Sequence, residues 1–116
     1  MIYLLVNATV HAMDDSLPVS QALAVKDGRI VEIGGTDEIL WLREDDYELI
    51  DLEGRTIVPG ATDPGQGFSI RGTLGAGQNA DFLVLSGDPL EGHAEGSPGI
   101  HVVEAWVGGR RILVRP

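Results

Sequence analysis

Hydrophobic residues in this chain occur in short aliphatic runs that are separated by Gly, Asn, Asp and Pro. Runs of this length with turn residues between them are typical of β-strands. The pattern therefore predicts an all-β protein. The predicted strands are Ile2 to Asn7, Val10 to Met13, Ala22 to Lys26, Arg29 to Ile33, Tyr47 to Asp51, Thr56 to Val58, Phe82 to Leu85, Glu104 to Val107 and Arg110 to Val114.

Two pairs of these strands are joined by dipeptides that favour tight turns. Asp27-Gly28 separates the third and fourth predicted strands, and Gly108-Gly109 separates the last two. A type I′ turn needs positive φ at both central residues, and Asp-Gly and Gly-Gly are preferred there. Each pair is therefore predicted to form an antiparallel hairpin.

One segment, Thr36 to Glu44, departs from the strand pattern. Thr36 can cap a helix, and Asp37 and Glu38 place carboxylates in its first turn. Apolar side chains follow within the same segment. We expect one short helix that packs over an end of the sheets with Trp41 partly buried, as a cover for the core and not as part of a ligand site.

Composition limits the classes of function. The chain has 116 residues, which fits one compact domain over residues 1–116. Its 18 acidic and 8 basic side chains give a formal charge of −10, which argues against nucleic-acid and anionic-membrane partners. There is no cysteine. Without a signal-peptide pattern or an apolar run of about 20 residues, we expect a cytoplasmic protein.

Several motifs, in order, resemble the amidohydrolase superfamily of metal-dependent hydrolases, and the closest likeness is to imidazolonepropionase-like members. Ala24-Val-Lys-Asp-Gly-Arg-Ile-Val-Glu-Ile-Gly34 and Asp51-Leu-Glu-Gly-Arg-Thr-Ile-Val-Pro-Gly60 are similar to the segment that precedes the catalytic barrel in that family. Gly72-Thr-Leu-Gly-Ala-Gly-Gln-Asn-Ala-Asp-Phe-Leu-Val-Leu85 is similar to the segment that follows it, and Val103-Glu-Ala-Trp-Val-Gly-Gly-Arg-Arg-Ile112 to the family's last hairpin. In the family, both segments fold into one small β-sandwich beside the barrel.

The connection between the two segments is too short to contain the barrel. A (β/α)₈ barrel needs roughly 250 residues, but only Ala61 to Arg71 lie between the two segments. The resemblance therefore implies the composite β-sandwich alone, with one short helix. It would be built from residues 1–59 and 72–116, joined by a Gly-rich linker over 60–71 that we expect to lack regular hydrogen bonding. A phosphate-binding loop is disfavoured because the linker lacks a Gly-Lys-Ser/Thr ending.

The family's metal motif is also lost. Family members continue from Pro-Gly through an Asp into His-x-His, and these histidines bind the catalytic metal. Here Asp63 matches the family Asp, whereas Gly65 and Gly67 occupy the two histidine positions. The family uses a divalent metal such as zinc, but glycine offers no side-chain ligand. We therefore predict no catalytic residue, no metal ligand and no cofactor in this chain.

Other potential ligands are scattered along the sequence. The histidines His11, His93 and His101 and the carboxylate groups Asp14-Asp15 and Glu44-Asp45-Asp46 form no recognisable ligand motif. We interpret them as solvated loop, turn and helix-end residues. No serine lies in a Gly-x-Ser-x-Gly motif.

Two functions remain open. The chain is either a non-catalytic accessory module, as an interaction domain or a remnant, or the sandwich of a split amidohydrolase that hydrolyses non-peptide C–N bonds with a barrel supplied in trans. Loss of the barrel would uncover an apolar side of about 600–1,500 Å². It could be covered by the linker through Phe68 and Ile70, by a second copy in a homodimer, or by another protein partner.

Overall fold

The computed structural model describes residues 1–14, 19–63, 67–89 and 99–114. These residues form two β-sheets, a separate hairpin and one short helix. The predicted all-β class is confirmed. In chain order the elements are β1 Ile2–Val6, β2 Thr9–Val10, β3 Ala22–Lys26, β4 Arg29–Gly34, α1 Thr36–Leu40, β5 Tyr47–Asp51, β6 Thr56–Val58, β7 Gly60–Asp63, β8 Gly67–Ile70, β9 Phe82–Leu85, β10 Val102–Val107 and β11 Arg110–Val114.

Sheet A consists of strands that precede the junction in the sequence, whereas sheet B combines strands from both sides of it. Sheet A has the order β4-β3-β1-β5, and sheet B has the order β11-β10-β9-β6-β2. In sheet B, β6 pairs antiparallel with β9, with Thr56 opposite Leu85 and Val58 opposite Leu83. The segment before the junction and the segment after it therefore complete a single sheet.

The main core lies between the two sheets. Alternate residues of each strand point inward, because successive side chains of a strand lie on opposite faces. The inward side chains form one buried cluster that includes Leu5, Leu23 and Val25 of sheet A and Ile57, Phe82, Val84 and Trp106 of sheet B. This packing of two sheets face to face is the arrangement of a β-sandwich.

Both outer faces of the sandwich are covered as well. On sheet A, the outward cluster that includes Leu4 and Ala24 receives Ile39 of α1, and Leu40 and Leu42 pack against it. On sheet B, the outward cluster of Val58, Leu83, Leu85, Val102 and Ala105 is covered by Phe68, Ile70 and Ile100. The molecule thus has four layers: α1, sheet A, sheet B and the hairpin β7–β8.

The segment predicted to be an irregular linker forms this hairpin, so the prediction was wrong. Gly60 pairs with Ile70 and Ala61 with Ser69 in an antiparallel ladder. A Cβ at Gly60 would lie 2.1 Å from the Ser69 carbonyl oxygen, so only glycine allows the strands this close approach. Phe68 and Ile70 alternate with Ser69, which is the period of a half-buried strand. Burial of these two side chains outweighs the high glycine content.

Helix α1 is shorter than predicted and is capped differently. It ends at Leu40, and its N-cap is Gly35, whose amide donates a hydrogen bond to Glu38 Oε1 at 2.9 Å. The Thr36 hydroxyl instead accepts a hydrogen bond from the Asn7 amide at 3.1 Å. Within the described ranges, no helix is long and apolar enough to cross a membrane.

The expected partial burial of Trp41 is also wrong, because 86% of its surface is exposed. Trp41 is the C-cap of α1, and the helix places Ile39 against the sheet instead. With only one turn of helix available, Ile39 alone is fully buried in the helix. The large indole is therefore left in solvent.

The two predicted hairpin turns meet at one end of the sandwich. Asp27, Gly28, Gly108 and Gly109 all have positive φ, as expected for these turns. A Cβ on Gly109 would lie 2.7 Å from the Cα of Gly28, whereas a Cβ on Gly108 would meet nothing within 4 Å. The turn of sheet A thus packs on the turn of sheet B, backbone against backbone.

Replacement of Gly109 tests this contact. We expect Gly109→Ala to destabilise the fold by at least about 1 kcal/mol more than Gly108→Ala, because both alanines are strained at positive φ but only the first must push two backbones apart. Urea denaturation of both variants measures the difference. Equal losses of stability would mean that the two turns do not limit each other.

Replacement of Phe68 tests the cover on sheet B. We expect Phe68→Ala to cost about 2 kcal/mol and to increase the binding of a hydrophobic dye, because the outer face loses its largest covering side chain. The matched control is Ile112→Ala, since Ile112 is largely exposed on β11. The control should change the free energy of unfolding by less than about 0.5 kcal/mol. Equal effects of the two variants would contradict the covering role.

Candidate functional site

The position that matches the family's metal motif lies in the hairpin β7–β8. Asp63 ends β7 and is paired through its backbone with Gly67, the first residue of β8. Gly65 lies outside the described residues. Position 67 therefore contributes backbone to a strand ladder, and neither glycine has a side chain that could bind a metal.

A groove of about 440 Å³ lies at the base of this hairpin, where the chain enters and leaves it. Pro59 and Arg71 line the groove, and the Arg71 amide donates to the Pro59 carbonyl at 3.2 Å. Asp81 also lines it, but its Oδ1 accepts a hydrogen bond from the Gly108 amide at 2.6 Å. The groove thus offers one cation and one engaged carboxylate. It brings no histidine beside them.

The interpretation of His11 as a solvated residue is wrong. His11 Nε2 lies 2.9 Å from Asp88 Oδ2, and each side chain is 14% exposed. His11 directly follows β2 and Asp88 follows β9. These two strands are the neighbours of β6 in sheet B. Sheet pairing brings together two residues that are 77 positions apart in sequence. The pair links the segments before and after the junction, and no sequence motif signals it.

His101 makes contacts with its own neighbours. His101 is exposed, its Nδ1 lies 3.2 Å from the Gly99 carbonyl oxygen, and its amide donates to Ser86 Oγ at 3.0 Å. His93 falls outside the described residues. Among the residues that the structure describes, no group of three His, Cys, Asp or Glu side chains is placed to hold a metal ion.

The predicted carboxylate groups are spread over the surface. Glu44 accepts a hydrogen bond from Lys26 at 2.7 Å, and this contact raises the pKa of Lys26 above its usual value. Asp45 and Asp46 are exposed. Asp14 is half-buried and makes an interaction of its own, and Asp15 falls outside the described residues. The two groups do not come together in a described site.

A buried polar cluster on β10 and β11 was missed by the sequence reasoning. Glu104 is only 7% exposed, and its Oε1 accepts a hydrogen bond from Trp106 Nε1 at 2.9 Å. Arg111 Nε lies 3.2 Å from the same oxygen, and the Arg111 guanidinium stands 5.3 Å from the centre of the Trp106 ring. The Tyr3 ring packs edge-on against the Trp106 ring, and the Phe82 ring stacks on it. The Glu104 carboxylate is therefore held by two donors beside an aromatic stack.

The contacts of this cluster compensate a buried charge, which is a structural role. The charge of Glu104 is compensated by Arg111, and buried charges persist when they are paired and hydrogen-bonded. A groove of about 450 Å³ outside it is lined by Tyr3, Glu48 and Arg110, among others. The sequence carries one signal of the cluster, since Glu104 interrupts an apolar run. Its partner depends on a hairpin register that the sequence does not reveal.

Replacement of Arg111 tests the cluster. We expect Arg111→Ala to destabilise the fold by about 2–3 kcal/mol, because it leaves the buried Glu104 carboxylate with only a neutral donor. Arg110→Ala, on the same hairpin, should change the free energy of unfolding by less than about 0.5 kcal/mol. Urea denaturation monitored by tryptophan fluorescence measures both.

A second substitution separates charge from packing. Adding Glu104→Gln to Arg111→Ala should restore part of the lost stability, because it removes the uncompensated charge and keeps an acceptor for Trp106. If the double variant is less stable than Arg111→Ala, the ion pair does not account for the loss.

Comparison with known proteins finds relatives that include an imidazolonepropionase. No family model matches the chain. It is 31% identical over 81 residues to the exoenzymes regulatory protein AepA of Pectobacterium carotovorum subsp. carotovorum, covering 70% of this chain. It is 49% identical over 45 residues to an imidazolonepropionase of Symbiobacterium thermophilum, covering 37% of this chain. The chain is a β-sandwich domain of the amidohydrolase superfamily. The sandwich spans 17% and 11% of the length of these two relatives.

Among solved structures, the amidohydrolase sandwich is similar to part of enamidase, which is described as a member of the amidohydrolase superfamily. The match has 32% sequence identity and a TM-score of 0.42, and covers 52% of this chain and 16% of that one. In this amidohydrolase sandwich, the two family segments meet through β6 and β9, and the connection between these strands contains the hairpin β7–β8.

Proposed function

We propose that this amidohydrolase-type sandwich is a non-catalytic module that works through interaction and not through hydrolysis. The observation that carries the proposal is the cover on sheet B. Phe68 and Ile70 of β8 lie against the outward cluster of Val58, Leu83 and Leu85. The chain thereby buries, with its own residues, an apolar face at the point where the barrel would be inserted. It does not need a barrel to close its core.

The placement of polar residues supports the same proposal. His11 is engaged with Asp88, and Glu104 with Arg111 and Trp106. Hydrolysis of amides by the superfamily relies on a metal that activates water, and such a site needs several ligands around an open position. The described residues supply no such group. Glycine at positions 65 and 67 removes the first two ligands that the family would contribute.

A split enzyme is the second candidate, and one feature of the surface favours it. The groove at the base of the hairpin is lined by Pro59, Arg71 and Val107, and Val107 is exposed. It lies at the two chain positions through which a barrel would connect to the sandwich. A barrel from another chain could dock there and supply the metal site. In that case the sandwich would be required for activity without contributing a ligand.

Metal content and hydrolysis test the proposed function. We expect less than about 0.1 zinc or manganese per chain after expression with both metals, and no turnover of amides or cyclic amides, because the described residues lack a set of ligands. Elemental analysis and product detection measure these quantities. About one metal per chain, with turnover that a chelator abolishes, would contradict the proposal.

Matched variants identify the source of any metal that is found. His11→Ala should leave the metal content unchanged, as should His101→Ala, because neither side chain belongs to a group of three potential ligands among the described residues. Loss of bound metal in either variant would place a site there. Activity that appears only when a separately produced barrel is added would favour the split enzyme.

A further inference from the structure

Strand β5 is one of the two edge strands of sheet A. It pairs with β1 in parallel, with Ile2 opposite Tyr47 and Leu4 opposite Leu49, and no described strand pairs with its other side. An open strand edge presents unpaired backbone amides and carbonyls to which an extended segment can add. We refer to Tyr47–Asp51 as the β5 edge.

Two large side chains of the β5 edge are partly exposed to solvent. Tyr47 and Leu49 are 43% and 50% exposed on the outer face of sheet A, whereas Ile50 on the inner face is 9% exposed. Tyrosine is enriched at the energetic centres of protein interfaces.

The charge around the β5 edge determines which partner fits. The ten residues 44–53 include no lysine or arginine, and all six of their carboxylates belong to exposed residues. They are Glu44, Asp45, Asp46, Glu48, Asp51 and Glu53. Glu44 pairs with Lys26 at 2.7 Å, and Glu48 and Glu53 each lie 3.9 Å from an arginine, Arg111 and Arg55 respectively. The carboxylates still outnumber these basic partners, so the local charge is negative.

This charge disfavours a second copy of the chain as the occupant. Pairing of two β5 strands would bring two sets of carboxylates together, and like charges across strands are destabilising. Protection against self-pairing explains only the charges, because charged side chains keep sheet edges from pairing with one another. It does not explain the exposure of Tyr47 and Leu49, which a protected edge would replace with polar residues. A basic partner accounts for both features.

We propose that the β5 edge binds an extended, basic segment of another protein, which adds to sheet A as a further strand. Apolar side chains of that segment would lie on Tyr47 and Leu49, and its lysine or arginine side chains would face the carboxylates. This inference rests on the proposed function, because it names the partner chemistry of the interaction module.

The test uses a capped synthetic peptide of alternating lysine and valine, and a matched peptide of alternating glutamate and valine. We expect calorimetric titration to detect binding of the lysine peptide only. Raising the salt from about 50 mM to about 500 mM should weaken this binding at least about fivefold, because exposed charges are screened. Equal binding of the two peptides, or no binding of the lysine peptide, would overturn the proposal.

Variants of the chain locate the binding surface. Leu49→Lys should weaken binding of the lysine peptide at least about tenfold, because it removes an apolar contact and adds a like charge. The double variant Asp45→Asn with Asp46→Asn should weaken it about threefold, because it removes two negative charges. The matched control is Ile112→Lys, which adds the same charge to β11, the outermost strand of sheet B. It should change the affinity less than twofold. Circular dichroism confirms that each variant is folded.

The remaining outcomes also decide the question. Equal loss of affinity in Leu49→Lys and Ile112→Lys would mean that the peptide binds through net charge alone and would overturn the proposal. A wild-type dimer that Leu49→Lys converts to monomer would assign the β5 edge to a second copy instead. Failure to bind the peptide sinks only this inference, whereas chelator-sensitive turnover sinks the proposed function whether or not the peptide binds.

Discussion

The pairing of β6 with β9 is the constraint on which the rest of this structure depends. Thr56, Ile57 and Val58 are all buried, and so are the four residues of β9. A strand buried on both faces has a continuous apolar sequence and needs a layer on each side. Sheet A covers the inner face of this pair and the hairpin β7–β8 covers the outer face. The hairpin is therefore required by the apolar character of the strands that it connects.

The same constraint explains where the polar groups lie. At one end of the sandwich, the turns at Gly28 and Gly109 touch, and the backbone of Ala80 bonds to both turn glycines, at 2.9 Å and 3.1 Å. On the β10–β11 side, Trp106 closes the core, and its indole N–H needs a buried acceptor, which Glu104 supplies. Arg111 then compensates the charge. Each polar contact follows from the packing of an apolar neighbour.

The strands were largely predictable, because short apolar runs and the Asp27-Gly28 and Gly108-Gly109 turns are local signals. The errors concern interactions between distant residues. Cover of sheet B by Phe68 and Ile70 was one of the alternatives considered, but the strand pairing of β7 with β8 was missed because it depends on a sheet face that forms only after folding. His11 was placed in solvent because Asp88 is 77 positions away. Trp41 was expected to be partly buried because the sequence of this segment does not reveal that the helix ends at Leu40.

Burial of both faces of β6 and β9 limits the surfaces of this domain that remain open to a partner. Loss of a barrel would normally leave an apolar face that favours aggregation or a new partner. Here that face is filled by β8, so a partner has to use what remains outside, which is the groove at the hairpin base and the open strands at the sheet edges. Of these surfaces, β5 combines unpaired backbone, half-exposed Leu49 and a dense negative charge. Backbone pairing supplies affinity with little demand on sequence, whereas charge selects among partners. The proposed interaction would therefore draw its affinity from backbone pairing at β5 and its selectivity from the surrounding charge.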